Sequence, residues 1–212
     1  MIQFTTVIEK AQTLLQVPAI VLAAGSATRM GKLKQLLPID GQPMVRRVTA
    51  AVCAAGLAQV VVVTGAQADA VERALSGLPV DIVVNKAWAE GLSTSLRAGL
   101  LALNPESKAA IIVLADQPAL TPDLIRVLVD RYRASGAPIV APAFRGQRGN
   151  PVLFDRAFFP KLLAVEGDQG GRELLDRHRE QIEWVEVKDP AILADVDTRQ
   201  DYERMRAGNA EA

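Results

Sequence analysis

The chain is short of several things, and each shortage narrows what it can be. Its single cysteine, Cys53, excludes an internal disulfide and any cysteine-rich metal site, a usage compatible with a reducing cytoplasm. Its single histidine, His178, in the run DRHRE, excludes paired histidines on a helix. No Gly-x-Ser-x-Gly elbow and no Cys and His set is present, so nothing suggests a covalent mechanism. Net charge is also lacking: 24 Lys plus Arg balance 24 Asp plus Glu, which leaves no global basic field for duplex nucleic acid. No stretch approaches the roughly 18 uncharged apolar residues of a membrane span. Glu9 and Lys10 interrupt any apolar core near the N-terminus, so we expect a soluble, unexported, cytoplasmic protein.

What is present is aliphatic. Half of the 212 residues are hydrophobic and only 4% aromatic, with no composition shift along the chain, so a single domain over 1–212 with a sizeable Ala, Val and Leu core is expected. Ile8, Ala11, Leu14 and Leu15 stand at helical spacing in 5–16, which predicts a short helical extension over 1–17. Continuous apolar runs at 19–23, 59–64, 80–84 and 109–115 read as buried strands. Helices are expected over 43–55, with Gly56 as the stop, and over 68–75, 94–103 and 121–134, the last with Thr121 as N-cap and Pro122 at the first helical position. Shorter strands at 138–142, 151–154 and 184–187 and helices at 173–179 and 201–206 complete the reading.

Strand alternating with helix predicts an α/β fold, a three-layer α/β/α Rossmann-like arrangement with a mostly parallel sheet. Ligands in such sheets bind outside the carboxyl ends of the strands. The loop at Gly25, Asn85 and Asp116 each follow a predicted strand, so the fold brings them to one edge.

The loop in residues 21–38, VLAAGSATRMGKLKQLLP, resembles a phosphate-binding turn: Gly25 and Gly31 let backbone N–H groups approach an anion, and Arg29, Lys32 and Lys34 add charge. It fails the Walker pattern, because five residues separate the glycines and Leu33 follows Lys32, and it fails the dinucleotide fingerprint at Ala27. Asp116 follows an apolar strand, where a carboxylate needs a partner such as a nucleotide-bound divalent cation, or serves as a simple turn or helix cap. GLSTSL at 91–96 sets three hydroxyls at a helix start, fit to cap it or to contact a ligand. Arg145, Arg148, Gly149 and Asn150, then GDQGGR at 167–172, form further polar clusters. Asp195 and Asp197 offer a second carboxylate, or Asp197 and Thr198 cap the last helix. Cys53 reads as a packing residue and His178 as a solvated one. Cations, a carboxylate and a phosphate loop suit positioning and electrostatic stabilisation of transfer at phosphorus.

The order VLAAGSATRMGKLKQLLPIDGQPM, VNKAWAEGLSTSLRAGL, VLADQPAL, RGNPVLF, EGDQGGRELL and DVDTRQDY resembles the molybdenum-cofactor nucleotidyltransferase family, and within it the cytidylyltransferase branch, over residues 19–205. The resemblance implies a nucleotide-diphospho-sugar-transferase-like fold. It implies magnesium-assisted, or manganese-assisted, transfer of CMP from CTP to a molybdopterin-type acceptor with loss of pyrophosphate. It places Leu22, Ala23, Ala24, Gly25, Arg29, Lys34, Gly65 and Asn85 around the nucleotide, with Arg29 and Lys34 on the triphosphate. Arg29, Lys34 and Asp116 would be catalytic, and Asp116 and Asp197 would ligate the metal, with Asp195 or Asp168 as alternatives to Asp197. Gly91, Ser93, Thr94, Ser95, Asn150 and Arg172 would face the acceptor. The guanylyl branch usually has glycine where Ala24 stands, so Ala24 argues for a cytidine nucleotide. The extension before Pro18 is longer than is usual in the family, and Asn150 stands where it commonly has histidine. The implied partner beyond CTP or another NTP and the acceptor is a molybdenum hydroxylase or its maturation factor. Two other readings stay open: transfer to another phosphorylated acceptor such as a sugar or alcohol phosphate, and a non-catalytic chaperone that binds the cofactor.

Overall fold

The structure, a computed structural model, describes residues 17–26, 33–169 and 171–208. The helix expected over 5–16 and loop residues Ala27, Arg29, Gly31 and Lys32 lie outside the described residues. In chain order the strands are β1 (Ala19–Ala23), β2 (Pro38–Ile39), β3 (Gln42–Pro43), β4 (Val60–Thr64), β5 (Asp81–Val84), β6 (Ala109–Leu114), β7 (Ile139–Phe144), β8 (Gln147–Arg148), β9 (Val152–Asp155) and β10 (Ile182–Glu186). The helices are α1 (Met44–Ala54), α2 (Ala68–Leu75), α3 (Leu92–Leu101), α4 (Pro122–Ser135), α5 (Phe159–Leu163), α6 (Arg172–Arg177) and α7 (Arg199–Gly208).

The main sheet runs β10-β7-β9-β6-β1-β4-β5, with β8 beside β7. Its centre is parallel, Ile20 pairing with Val61 on one side and Ile112 on the other. β9 runs antiparallel to both β6 and β7. Strands β1, β4 and β6 are uninterrupted aliphatic runs because both their faces are covered. Ala19, Val21 and Ala23 face a layer with Val45, Val48 and Val52 of α1, Val71 of α2 and Leu128 of α4. Ile20 and Leu22 face the opposite layer, with Leu96 and Leu100 of α3, Leu162 of α5 and Leu175 of α6. This is the expected α/β/α arrangement. Among the described residues, no helix is long and apolar enough to cross a membrane.

The helix punctuation follows the side chains. Thr121 accepts from the Leu124 amide at 3.3 Å with Pro122 next to it, and Gly56 takes φ +79 just past α1. Three features depart from expectation. A short hairpin, β2–β3, fills 38–43, and α5 forms at 159–163, where no regular element is expected. Helix α3 starts at Leu92, two residues early, because Gly91 at φ +118 turns the chain into it. A smaller cluster of Ile39, Met44 and Val196, with Tyr202 and Met205 packed on it, ties the hairpin to α7.

The chain leaves β1, builds β4 and β5 on one side, then returns to place β6 on the other. The crevice between β1 and β6, at their carboxyl ends, is therefore the topological switch point where α/β sheets bind ligands. Gln35 fixes the exit of β1: its buried side-chain amide donates to the carbonyls of Ala23 at 2.9 Å and Gly25 at 2.8 Å. On the opposite face α3 approaches β1 so closely that a Cβ on Gly99 would sit 2.4 Å from Ile20 Cγ2 and 3.1 Å from Val63 Cγ2.

Both features are measurable. Gly99→Ala forces a methyl into this fully buried contact and should cost about 1–3 kcal/mol of overpacking, read as a lower denaturant midpoint; an unchanged midpoint would contradict the close approach. Gln35→Leu leaves two inward carbonyls without their side-chain donor and should cost about 1–3 kcal/mol. A neutral result would show that Gln35 does not hold the loop.

Candidate active site

The carboxyl ends of β1 and β6 carry the cation and the carboxylate that the sequence singles out. Lys34 opens a single 3-10 turn, Lys34–Leu36, directly before the buried Gln35 that anchors the loop. Its Nζ lies 2.8 Å from Asp116 Oδ2 and 2.7 Å from Asp197 Oδ1. Asp116 stands two residues past β6, and its backbone carbonyl accepts from the Val196 amide at 3.1 Å, which draws the 194–198 segment to the sheet edge. Asp197 is thereby delivered opposite Lys34.

The charges are set by these neighbours. Burial opposes the Lys34 charge, but the Asp116 carboxylate, with Asp197 behind it, outweighs that and raises the ammonium pKa above its usual value. Asp195 points elsewhere: Gln117 donates to it at 2.5 Å, while burial, which outweighs that bond, and the nearby Asp116 and Asp197 raise its pKa. The second oxygen of Asp116, Oδ1, is buried and has no hydrogen-bond partner among the described residues. Buried carboxylate oxygens of this kind are costly unless something with positive charge meets them.

Asp116 lies in the turn after β6, and the helix-cap roles open to these carboxylates are filled by other residues. Thr121 caps the helix that follows Asp116. Thr198 and Asp201 form a reciprocal box at the start of α7, Thr198 N–H donating to Asp201 at 2.8 Å and Asp201 N–H to Thr198 at 3.1 Å, so Asp197 is not the cap. Asp168 lies elsewhere, its carboxylate accepting from the Leu92 amide at the start of α3.

The other candidates divide into two groups. Leu22, Ala23, Ala24 and Gly25 lie on or just past β1, and the Ala66 amide donates to the Ala24 carbonyl at 3.1 Å. Gly65 sits where a Cβ would meet Trp88 Cβ at 2.6 Å and the Ala24 carbonyl at 2.8 Å, so its lack of a side chain lets β1 and β4 end side by side. Asn85, Thr94 and Ser95 instead form an internal network: the Asn85 amide donates to Thr94 at 2.8 Å and Ser95 at 3.0 Å, and its carbonyl accepts from the Ala87 amide at 2.9 Å. Thr94 Oγ1 lies within hydrogen-bond distance of the carbonyls of Ala87 and Gly91. No hydroxyl of GLSTSL caps α3; the three are turned into the fold, with Ser93 and Ser95 buried. Gly91 packs against the backbone of Gly167, at 2.7 Å from a would-be Cβ.

Asn150 and Arg172 do face open space. They line a cavity of about 460 Å³ together with Leu22, Leu96, Ile112 and Asp168. Sequence reasoning misses Gln35, whose only signal is a polar side chain in the apolar run after Lys34, and Gln117, which orients Asp195. His178 also differs from expectation: its ring packs edge-on against Phe158 at 5.1 Å. Arg29 lies outside the described residues. Among the described residues, no three or more His, Cys, Asp or Glu side chains group to hold a metal by themselves.

Comparison with known proteins fits this geometry. Residues 19–182 match the MobA-like NTP transferase domain. The nicotine blue oxidoreductase of Paenarthrobacter nicotinovorans is 30% identical over 197 residues, covering 89% of this chain and 96% of that protein. The molybdenum cofactor cytidylyltransferase of Escherichia coli K12 is 26% identical over 189 residues, covering 88% and 93%. Among solved structures, Rv0371c of Mycobacterium tuberculosis in complex with manganese superposes with a TM-score of 0.79 at 30% identity, covering 91% of this chain and 98% of that one. With the family match spanning well over half of its length, this chain belongs to the MobA-like NTP transferase family.

Proposed function

We propose that this protein is a magnesium-dependent cytidylyltransferase that transfers CMP from CTP to a molybdopterin-type acceptor and releases pyrophosphate, acting as a single domain in the cytoplasm. The observation that carries it is the Lys34 ammonium held between Asp116 and Asp197 at the switch point. Residue types fit the metal: magnesium takes oxygen ligands, commonly one or two carboxylates plus substrate phosphates, and Asp116 has a buried oxygen with no hydrogen-bond partner among the described residues. Asp116 and Asp197 would hold it. When bound, magnesium neutralises phosphate charge and polarises the phosphorus under attack.

The chain's own part is positioning. With its pKa raised, Lys34 is charged across the neutral range, so it meets phosphate oxygens as a cation when a nucleotide competes for it. Gln35 holds the backbone of Ala23 and Gly25 in place, so the amides beyond β1 need little rearrangement. Ala24 in place of glycine supports cytidine as the base, and the resemblance to the molybdenum cofactor cytidylyltransferase supports the acceptor.

A second reading keeps this nucleotide site but changes the acceptor to another phosphorylated small molecule. Its support is the cavity beside Leu22, where an aliphatic wall of Leu92, Leu96, Ile112, Leu114 and Val152 meets the polar side chains of Arg148, Asn150, Asp168 and Arg172, a mixture that suits other small phosphate esters as well as a pterin. Pyrophosphate release measured with CTP, GTP, ATP and UTP, each with and without molybdopterin, separates the readings. CTP with molybdopterin should give the fastest release, and Asp116→Ala should lower it by at least about 100-fold while the protein stays folded. Undiminished release in that variant would remove Asp116 from the site; release with CTP only in the presence of a sugar or alcohol phosphate would favour the second acceptor class.

A further inference from the structure

The cavity beside Leu22 adjoins a smaller pocket of about 290 Å³, the two sharing Arg148, Arg172 and Leu175 in their walls. The walls of the smaller pocket bring together three arginines, Arg148, Arg172 and Arg179. Arg179 lies over the ring of Trp184 with its guanidinium carbon 5.4 Å from the centroid, a stacking contact that leaves the guanidinium edge free for other bonds. Against these three cations the pocket offers one acid, Asp176, 3.7 Å from Arg148 and with a side chain 69% exposed. An ion pair that open to water does little to offset the repulsion. Among the described residues, neither Arg172 nor Arg179 pairs with a carboxylate. Burial lowers the Arg148 pKa, partly opposed by Asp176, and Arg172 and Arg179 lower it further. Arginines gathered in one concavity without balancing acids are arranged for an external oxyanion, which they grip through forked N–H pairs.

The pocket is separate from the place of nucleotide transfer. Trp184 is on β10 and Arg148 on β8 beside β7, and β10 is four strand positions from β1, about 19 Å at the usual strand spacing. Between the two ends lies the apolar stretch of Leu22, Ile112, Val152 and Phe154. We propose that Arg148, Arg172 and Arg179 form an anion subsite for the acceptor, which takes a second oxyanion carried across an apolar body from the phosphate that reacts. The subsite rests on the nucleotidyl-transfer reading above, and it narrows the acceptor to molecules anionic at both ends. Arg148 and Arg179 enter as acceptor-holding residues, and the groove between them and Leu22 selects for flat or aliphatic bodies over polar ones.

The test does not depend on knowing the acceptor. Arginine side-chain Nε–Hε resonances of the full chain, labelled with 15N, are followed during titration with inorganic phosphate and, separately, with benzoate, each with and without Mg–CTP. Saturable shifts at Arg148, Arg172 and Arg179 are expected. Arg148→Gln and the exposed Arg179→Gln should each weaken the dissociation constant by about tenfold. A stronger response to phosphate identifies a phosphate ester as the second anion, and a stronger response to benzoate a carboxylate on a flat body. No saturable shift in the wild type, wild-type affinity in both variants, or displacement of the probe by Mg–CTP would overturn the subsite. Failure of the nucleotide reading shows independently, as an absence of any response to Mg–CTP alone.

Discussion

The contact on which the site depends is the Lys34 ammonium between two carboxylates. It joins side chains from three segments that backbone pairing already brings together: the loop after β1, the end of β6 and the stretch before α7. Burial acts against the Lys34 charge, and two carboxylates this close would repel if the lysine were absent. Each charge therefore holds the others in place. On the proposed reading the arrangement is exchangeable, because a metal would serve the carboxylates and phosphate oxygens the lysine, so no charge is left without a partner.

Around that triad the fold supplies stiffness by polar bonds turned inward. Gln35 locks the β1 exit, the Val196 amide locks Asp197 to the β6 end, and the Asn85, Thr94 and Ser95 network locks the turn after β5 to α3. Buried polar groups are tolerable when fully partnered, and these are. Among the described residues Thr49 Oγ1, two Arg133 nitrogens and Asp116 Oδ1 are buried without a hydrogen-bond partner, and of these only Asp116 Oδ1 stands beside Lys34. The cavity beside Leu22 is built differently, with a largely aliphatic wall that adjoins the arginines near Trp184.

Much of the scaffold is readable from sequence because its signals are local. The runs AIVLA and VVVVT can only be doubly covered strands in a chain with so few long apolar stretches, and α2 begins and ends where its apolar spacing and Ser76-Gly77 place it. Thr121-Pro122 is a cap that acts within a few residues. What is not readable depends on distant partners. The β2–β3 hairpin has two-residue strands with no periodicity and is stabilised by Met44 and Val196 from elsewhere in the chain. GLSTSL looks like a surface of hydroxyls, and only the position of Asn85 shows that they point inward. Which of Asp168, Asp195 and Asp197 meets Lys34 depends on three contacts, to Leu92, Gln117 and Lys34, that no spacing rule encodes.

The central claim is that Lys34 exchanges its carboxylate partners for phosphate when nucleotide and metal arrive. A crystal structure of the wild-type chain grown with CTP and manganese, with anomalous scattering used to locate the ion, tests it directly. The account predicts an anomalous peak at Asp116 and Asp197 and the Lys34 ammonium turned to the phosphates. An ion bound away from Asp116, or bound nucleotide with Lys34 still between the two carboxylates, would contradict it.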